Sequence, residues 1–254
     1  MEDTKIGGPG GTFPATRWSA IVAARSTDSA ERARALQTVV EAYWKPIYKY
    51  VRIRWNKSNE DAKDLTQEFF SRLIEKNYLD DFDPSKARLR TFLRVCVDHF
   101  LANEAKAATR LKRGGAAEHI SLDFDAAETE LQRTGRSFIG GASPESMDDF
   151  LEKEFLRSLF GLSLESLRRF CEAHGKQTHF RLFEIHDVED SGTKRPTYAD
   201  LAKQFGIGTT DVTNYLAFAR REFRRISLEK LREMTATEDE FRREARALLG
   251  VVPE

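Results

Sequence analysis

The sequence predicts an all-α protein of two helical domains joined by a long acidic, partly helical linker. Three observations carry that prediction. Apolar residues recur at helical spacing along most of the chain, no alternating pattern marks a strand, and the charge balance changes near Gly115. The 254 residues suffice for two small cores, and 40% hydrophobic with 32% charged residues describes a globular chain rather than a disordered one. Lys+Arg and Asp+Glu both number 41, which excludes a uniformly basic nucleic-acid binder but not charge segregated along the chain.

The elements follow in order. From about Ala30 to Arg54, Leu36, Val39, Val40, Tyr43, Ile47, Tyr50 and Val51 recur at helical spacing, and Pro46 is expected to kink or restart the helix. A second helix from about Glu60 to Lys76 carries Ala62, Leu65, Phe69 and Leu73 as its apolar stripe. Asn59 is its expected N-cap, and Glu60 and Asp61 suit the positive helix end. Leu79–Lys86, with Asp80, Asp81, Asp83 and Pro84, reads as a loop. A third helix is expected from Leu89 to Leu111, closed by Gly114-Gly115.

Residues 115–195 then hold sixteen Asp/Glu against ten Lys/Arg, and within them Ala116–Ser143 reads as a loose acidic linker. Helices are expected at Asp148–Glu172 and His179–His186, a loop at Glu189–Pro196, and a compact helical unit from Thr197 to Met234. Thr237 and Glu240 stand at capping-box spacing and open a last helix. No apolar run approaches the ~20 residues that span a bilayer. Met1–Gly11 lacks the basic and apolar sections of a secretory signal. With Cys96 and Cys171 far apart in helical patterns, a reducing cytoplasm is the expected setting.

The sharpest local signal is YADLAKQFGIGTTDVTNYLAFARREFRR, Tyr198 to Arg225. A helix-turn-helix needs a small residue where its helices cross and a turn residue tolerant of positive φ; Ala202 and Gly206 supply them. Ile207, Val212, Tyr215 and Leu216 would anchor the second helix, and Thr209 or Thr210 would cap it. Its outward face would show Thr210, Asp211, Thr213, Asn214, Ala217 and Arg221, short groups suited to base edges in a major groove. Arg220, Arg221, Arg224 and Arg225 add charge for phosphates. The plainer alternative is a helical hairpin with a solvated basic face.

Around the Leu89–Leu111 helix, Lys86, Arg88, Arg90, Arg94, Lys106, Arg110, Lys112 and Arg113 are opposed only by Asp98 and Glu104. Interleaved with Phe92, His99 and Phe100, this charge suits an unpaired strand, whose phosphates are neutralised while its bases stack or enter pockets. Taken singly, Phe92, Val95 and Phe100 read as core. Asp61, Asp64 and Glu68 form an acidic stripe beside the apolar face of the second helix. It reads as a docking surface for a basic protein, as a carboxylate metal site of a hydrolase, or as a solvated face paired to Lys63 and Arg72. No further carboxylate or His at suitable spacing supports the metal. Cys171, His174, His179 and His186 match common zinc spacings poorly. No phosphate-cradling glycine loop or nucleophile elbow is present, and no cofactor, small-molecule substrate or catalytic residue is expected.

Together these residues resemble the extracytoplasmic-function (ECF) RNA polymerase sigma factors. DAKDLTQEFFSRL, Asp61 to Leu73, is similar to the family's core-polymerase-binding helix. LRTFLRVCVDHFLANEAKAATRLK, Leu89 to Lys112, is similar to its minus-ten-element helix, and Tyr198–Arg225 to its minus-thirty-five-element domain. Phe13–Val22 and Thr235–Gly250 further resemble a lineage of large ECF-like factors. The resemblance implies a sigma domain 2-like bundle at 13–114, the acidic linker at 115–195, and a sigma domain 4-like helix-turn-helix with a C-terminal helix at 196–250. It implies that Asp61, Asp64, Gln67, Glu68 and Arg72 meet the polymerase clamp helices. The loop Asp80–Arg88 would trap a flipped base, while Lys86, Arg88, Arg90, Arg94, Asn103, Lys106 and Arg110 would hold the open minus-ten strand. Thr210, Thr213, Asn214, Arg220, Arg221 and Arg224 would bind the upstream element.

The implied partners are core RNA polymerase and promoter DNA, with an anti-sigma protein or another regulator as a further candidate, and no membrane. The sequence departs from the family pattern in its long interdomain segment and in Thr66 and Phe70. The competing expectation is a conventional helix-turn-helix regulator that binds operator DNA without polymerase.

Overall fold

The computed structural model describes residues 19–108, 122–133, 144–189 and 195–251, which are helical with no strand among them. A short α1 (Ala20–Ala23) leads into α2 (Ser29–Arg54), opened by the Asp28 carboxylate, which accepts the Ala30 N–H at 2.8 Å. The helix runs on through Pro46 rather than restarting. Proline removes one helical hydrogen bond, but Tyr43, Trp44, Ile47, Tyr48 and Tyr50 around it are all buried, and that packing outweighs the loss.

α3 (Asn59–Glu75) is capped by Ser58, not Asn59: the Ser58 hydroxyl accepts the Asp61 N–H at 3.1 Å. Asn59 instead accepts a hydrogen bond from the Tyr48 hydroxyl at 2.7 Å. A 3-10 turn, Tyr78–Asp81, follows Asn77 in the left-handed region, and α4 spans Leu89–Ala108. The expected end of that helix at Leu111 and its Gly114-Gly115 stop lie outside the described residues.

The expected loose linker contains a helix, α5 (Phe124–Arg133). Phe124 sets its ring edge-on to Trp44 and tilted to Tyr48, at 5.4 and 5.2 Å between centroids. Glu128 pairs with Arg52 at 2.7 Å, and Glu130 with Lys45 and Lys49, both at 2.8 Å. An acidic segment that looks too charged to pack is ordered by a basic stripe on α2 lying some eighty residues earlier. Lys49 also meets Glu154 at 2.8 Å with both side chains 4% exposed, a buried pair holding α2 to the next helix.

That helix, α6 (Pro144–Ala173), is thirty residues long and begins earlier than its apolar periodicity indicates. After it come α7 (Gln177–Phe183), a π turn (Glu184–Val188), α8 (Tyr198–Phe205), α9 (Thr209–Glu233) and α10 (Glu238–Leu249). Phe160 of α6 meets Phe223 of α9 at 5.0 Å, and further along Phe170 lies 6.5 Å from Phe218, so the two long helices run antiparallel.

Two cores result. The first joins α1 to α5 with the start of α6, the end of α9 and α10, through Phe69, Phe70, Leu93, Phe155, Leu231 and Phe241. The second joins the end of α6 to α7, α8 and the start of α9, through Leu167, Cys171, Leu182, Leu201, Val212 and Leu216. The packing therefore departs from boundaries at 114 and 195. The segment 115–195 contributes to both cores, and α10 returns to the first lobe because Phe241 and Ala245 face it. No described helix is long and apolar enough to cross a membrane.

Candidate nucleic-acid interface

The apolar face of α3, including Ala62, Phe69 and Leu73, is buried against α2 and α4, which turns the opposite side outward. Asp61 and Asp64 are exposed, and Gln67 and Glu68 are half-buried. Glu68 accepts from the Arg72 guanidinium at 2.5 Å, one helical turn on. Arg72 also meets Glu104 of α4 at 2.8 Å and covers the Phe100 ring, so it braces α3 on α4. Thr66 and Phe70 are both 0% exposed, which leaves the outer stripe unaltered by either departure from the family pattern.

α4 buries Leu89, Leu93, Val97, Phe100 and Leu101. Its cations do not share one exposed face. Lys86 is exposed and pairs with Asp83 at 3.2 Å; Asn103 and Lys106 are exposed further along. Arg88 is exposed but reaches Glu152 at 3.2 Å and Glu244 at 3.0 Å. Arg90, expected among the strand-holding groups, is 5% exposed: it meets Glu152 at 2.6 Å and pairs with Glu244, itself 4% exposed. The structure thus places Arg90 in an internal ion pair, where it cannot contact DNA in this conformation. Arg94 is half-buried between Asp98 at 3.2 Å and Asp148. Arg110, Lys112 and Arg113 lie outside the described residues.

The loop before α4 is braced from both sides. The Arg25 guanidinium donates to the Leu79 carbonyl at 2.9 and 3.1 Å and to that of Phe82. Asp83 accepts from the Ser85 hydroxyl at 2.7 Å and its N–H at 3.0 Å, and these bonds, with Lys86, bring its carboxyl down to about 2. Between the end of α3 and α4 lies a groove of about 290 Å³ lined by Arg72, Tyr78, Phe92, Cys96, His99 and Asn103. Burial pushes the Cys96 thiol up to about 11, so it stays protonated at neutral pH. Phe100 is core and Phe92 packs half-buried on Phe82, while Val95 is exposed, against its reading as core.

In the second lobe, Thr197 and Asp200 form a reciprocal cap at the start of α8: the Thr197 hydroxyl accepts the Asp200 N–H at 3.2 Å, and the Asp200 carboxylate accepts the Thr197 N–H at 3.0 Å. Ala202 is buried and Gly206 adopts φ +65°, a conformation costly for any residue with a Cβ. The cap of α9 is Gly208, whose N–H donates to the Asp211 carboxylate at 3.1 Å; neither Thr209 nor Thr210 takes that role. Val212, Leu216 and Ala219 are buried, which sets Thr210, Asp211, Thr213, Asn214 and Ala217 in solvent.

The arginines of α9 divide. Arg220, Arg221 and Arg224 are all exposed, but Arg220 grips Asp187 of the π turn through two nitrogens at 2.7 and 2.9 Å. Burial alone would raise the Asp187 carboxyl; the bonds from Arg220 and His186 outweigh it and hold the group below its usual range. Arg225 pairs with Glu222 and Glu229 on its own helix. Asp187, Asp148, Glu152 and Glu244 were not foreseen from the sequence as partners because they come from elements other than those of the arginines they meet, whereas Glu222 and Glu229 lie along α9 itself.

The Cys/His set is dispersed into packing. Cys171 lies in the second core, His179 stacks on Tyr215 at 3.8 Å and His186 packs against Tyr198. Among the described residues no three Asp, Glu, His or Cys side chains come together to hold a metal ion, at α3 or elsewhere.

Residues 39–111 match the family model described as sigma-70 region 2. The match covers less than a third of the chain and spans most of α2, all of α3, the 3-10 turn and α4, so the first lobe is similar to that region. It supports a sigma-type role in polymerase binding and promoter recognition. No curated protein and no solved structure matches.

Proposed function

We propose that the chain is an alternative sigma factor of the ECF type, acting in the cytoplasm without catalytic chemistry of its own. The observation that carries this reading is the region 2 match over a lobe whose α3 presents Asp61 and Asp64 to solvent. These carboxylates, with Gln67 and Glu68, dock a basic surface of core polymerase, and Arg72 holds the docking helix in register with α4. Lys86, Arg88, Arg94, Asn103 and Lys106 attend the unpaired minus-ten strand, and the aromatic groove between α3 and α4 takes a base from it. In the second lobe α8 and α9 act as a helix-turn-helix. Thr210, Thr213 and Asn214 read base edges while Arg221 and Arg224 neutralise phosphates. Arg220, committed to Asp187, holds α9 against the π turn rather than touching DNA.

Each surface alone binds DNA weakly at physiological salt, and polymerase supplies the effective concentration that joins them. The test is run-off transcription with purified core polymerase. The proposal expects the chain to co-purify with core and to direct initiation from a specific promoter. Tight operator binding without polymerase, and no initiation with it, would establish a conventional regulator instead.

A further inference from the structure

The arginines at the start of α4 are paired with carboxylates from helices outside the region 2 match. Asp148 and Glu152 stand one helical turn apart on α6. Asp148 takes Arg94, and Glu152 takes Arg88 at 3.2 Å and Arg90 at 2.6 Å. Glu244 of α10 reaches Arg88 at 3.0 Å and completes the pairing of Arg90.

The pairs are of two kinds. Arg90 and Glu244 are buried and belong to the fold. Around them, Asp148, Glu152 and Arg88 have side chains 45%, 39% and 47% exposed, so Arg88 can exchange partners without unpacking a core, and Arg94, 17% exposed, does so by turning out of its half-buried place. A cleft of about 370 Å³ lined by Lys86, Arg88, Thr91, Asp149 and Glu152 opens beside them, leaving room for a phosphate to approach. A carboxylate on a guanidinium uses the same charge and donor geometry as a phosphate oxygen.

From this geometry we infer that Asp148 and Glu152 are a built-in phosphate mimic, masking Arg88 and Arg94 so that the free chain is restrained from binding single-stranded DNA. The inference rests on the reading of α4 as the strand-holding helix. Release is a change of partner: Arg88 and Arg94 swing from carboxylate to phosphate once polymerase presents the melted strand, while Arg90 stays with Glu244. The mask suppresses non-specific binding, which basic residues otherwise supply to any nucleic acid.

The test measures binding of a short fluorescent single-stranded DNA to the full chain by anisotropy at low ionic strength. The mask predicts that Asp148→Asn with Glu152→Gln tightens binding roughly tenfold, each single change giving a few-fold. Glu165→Gln, which removes the same charge from α6 in the second lobe, leaves binding as in the wild type. Both altered sites are half-exposed, and thermal unfolding followed by circular dichroism checks that the doubly altered chain remains folded. Unchanged affinity in the folded Asp148→Asn/Glu152→Gln chain overturns the inference, as does equal tightening by Glu165→Gln. Run-off transcription with the wild type separates the two readings. Initiation without tightening removes only the mask; tightening without initiation keeps the mask and removes the sigma assignment.

Discussion

At the start of α4, Arg88 just before it and Arg90 and Arg94 within it meet carboxylates brought by α6 and α10; on α9, Thr210, Thr213 and Asn214 stand in solvent with Arg221 and Arg224 beyond them. The first helix has its basic end covered by other elements, and the second, though its apolar face enters both cores, keeps its polar face in solvent. Under the proposed function a duplex would meet α9 without rearranging it, whereas a strand meeting α4 would have to compete for its arginines. Charge counted along a sequence therefore measures what a helix carries, not what it can offer a ligand.

The largest effect that would sharpen this contrast lies in the buried pair. Arg90→Ala takes from Glu244 its buried partner and leaves it only Arg88 at 3.0 Å, and is expected to cost up to about 3 kcal/mol. A large fall in melting temperature checks it, and an unchanged one would show that the pair is solvated after all. On α9 the expectation is reversed. Asn214→Ala is expected to leave the melting temperature unchanged while costing about 1–3 kcal/mol of discrimination at one base pair of the upstream element. Competition between promoter duplexes with single base changes measures this.

Arg224→Ala is expected to weaken duplex binding uniformly and to lower the slope of log affinity against log salt by about one. Arg220→Ala should leave that slope alone and loosen the second lobe instead. Equal slopes for the two variants would remove the distinction drawn between them. The smallest effect concerns Glu240. Burial raises its carboxyl above the usual range, aided by Glu244 and opposed by the Ala236 N–H it accepts at 2.7 Å. A carboxyl raised in the folded state adds stability only while protonated, below its unfolded pKa, and that contribution is lost as pH rises through the folded value. Glu240→Gln is thus expected to raise the melting temperature at pH 7 and to lose the advantage in acid; equal melting shifts at both pH values would contradict the burial argument.

What the sequence made legible was local. The outward acids of α3 and the outward polar face of α9 follow from apolar residues three and four apart, and Gly206 signalled its positive φ by sitting where two helices must turn. The non-local remainder was hidden. α5 looked loose because its acids find Lys45, Lys49 and Arg52 only after folding, and Arg90 resembled its neighbours because Glu244 lies over 150 residues away. Ser58 and Gly208 displaced the expected caps by one or two positions, a scale at which periodicity has no resolution.

The antiparallel pairing of α6 with α9 has a mechanical consequence. A hydrogen-bonded helix keeps a fixed rise of about 1.5 Å per residue, so two of them side by side act as a strut of set length between the surfaces at either end. Gly161, with no atom of another element within 4 Å of where a Cβ would stand, lies in the middle of α6 beside Phe160, which meets Phe223 across the strut. Any transition that changed the spacing of the lobes would have to bend the strut at that weak point, or slide one helix along the other by whole turns.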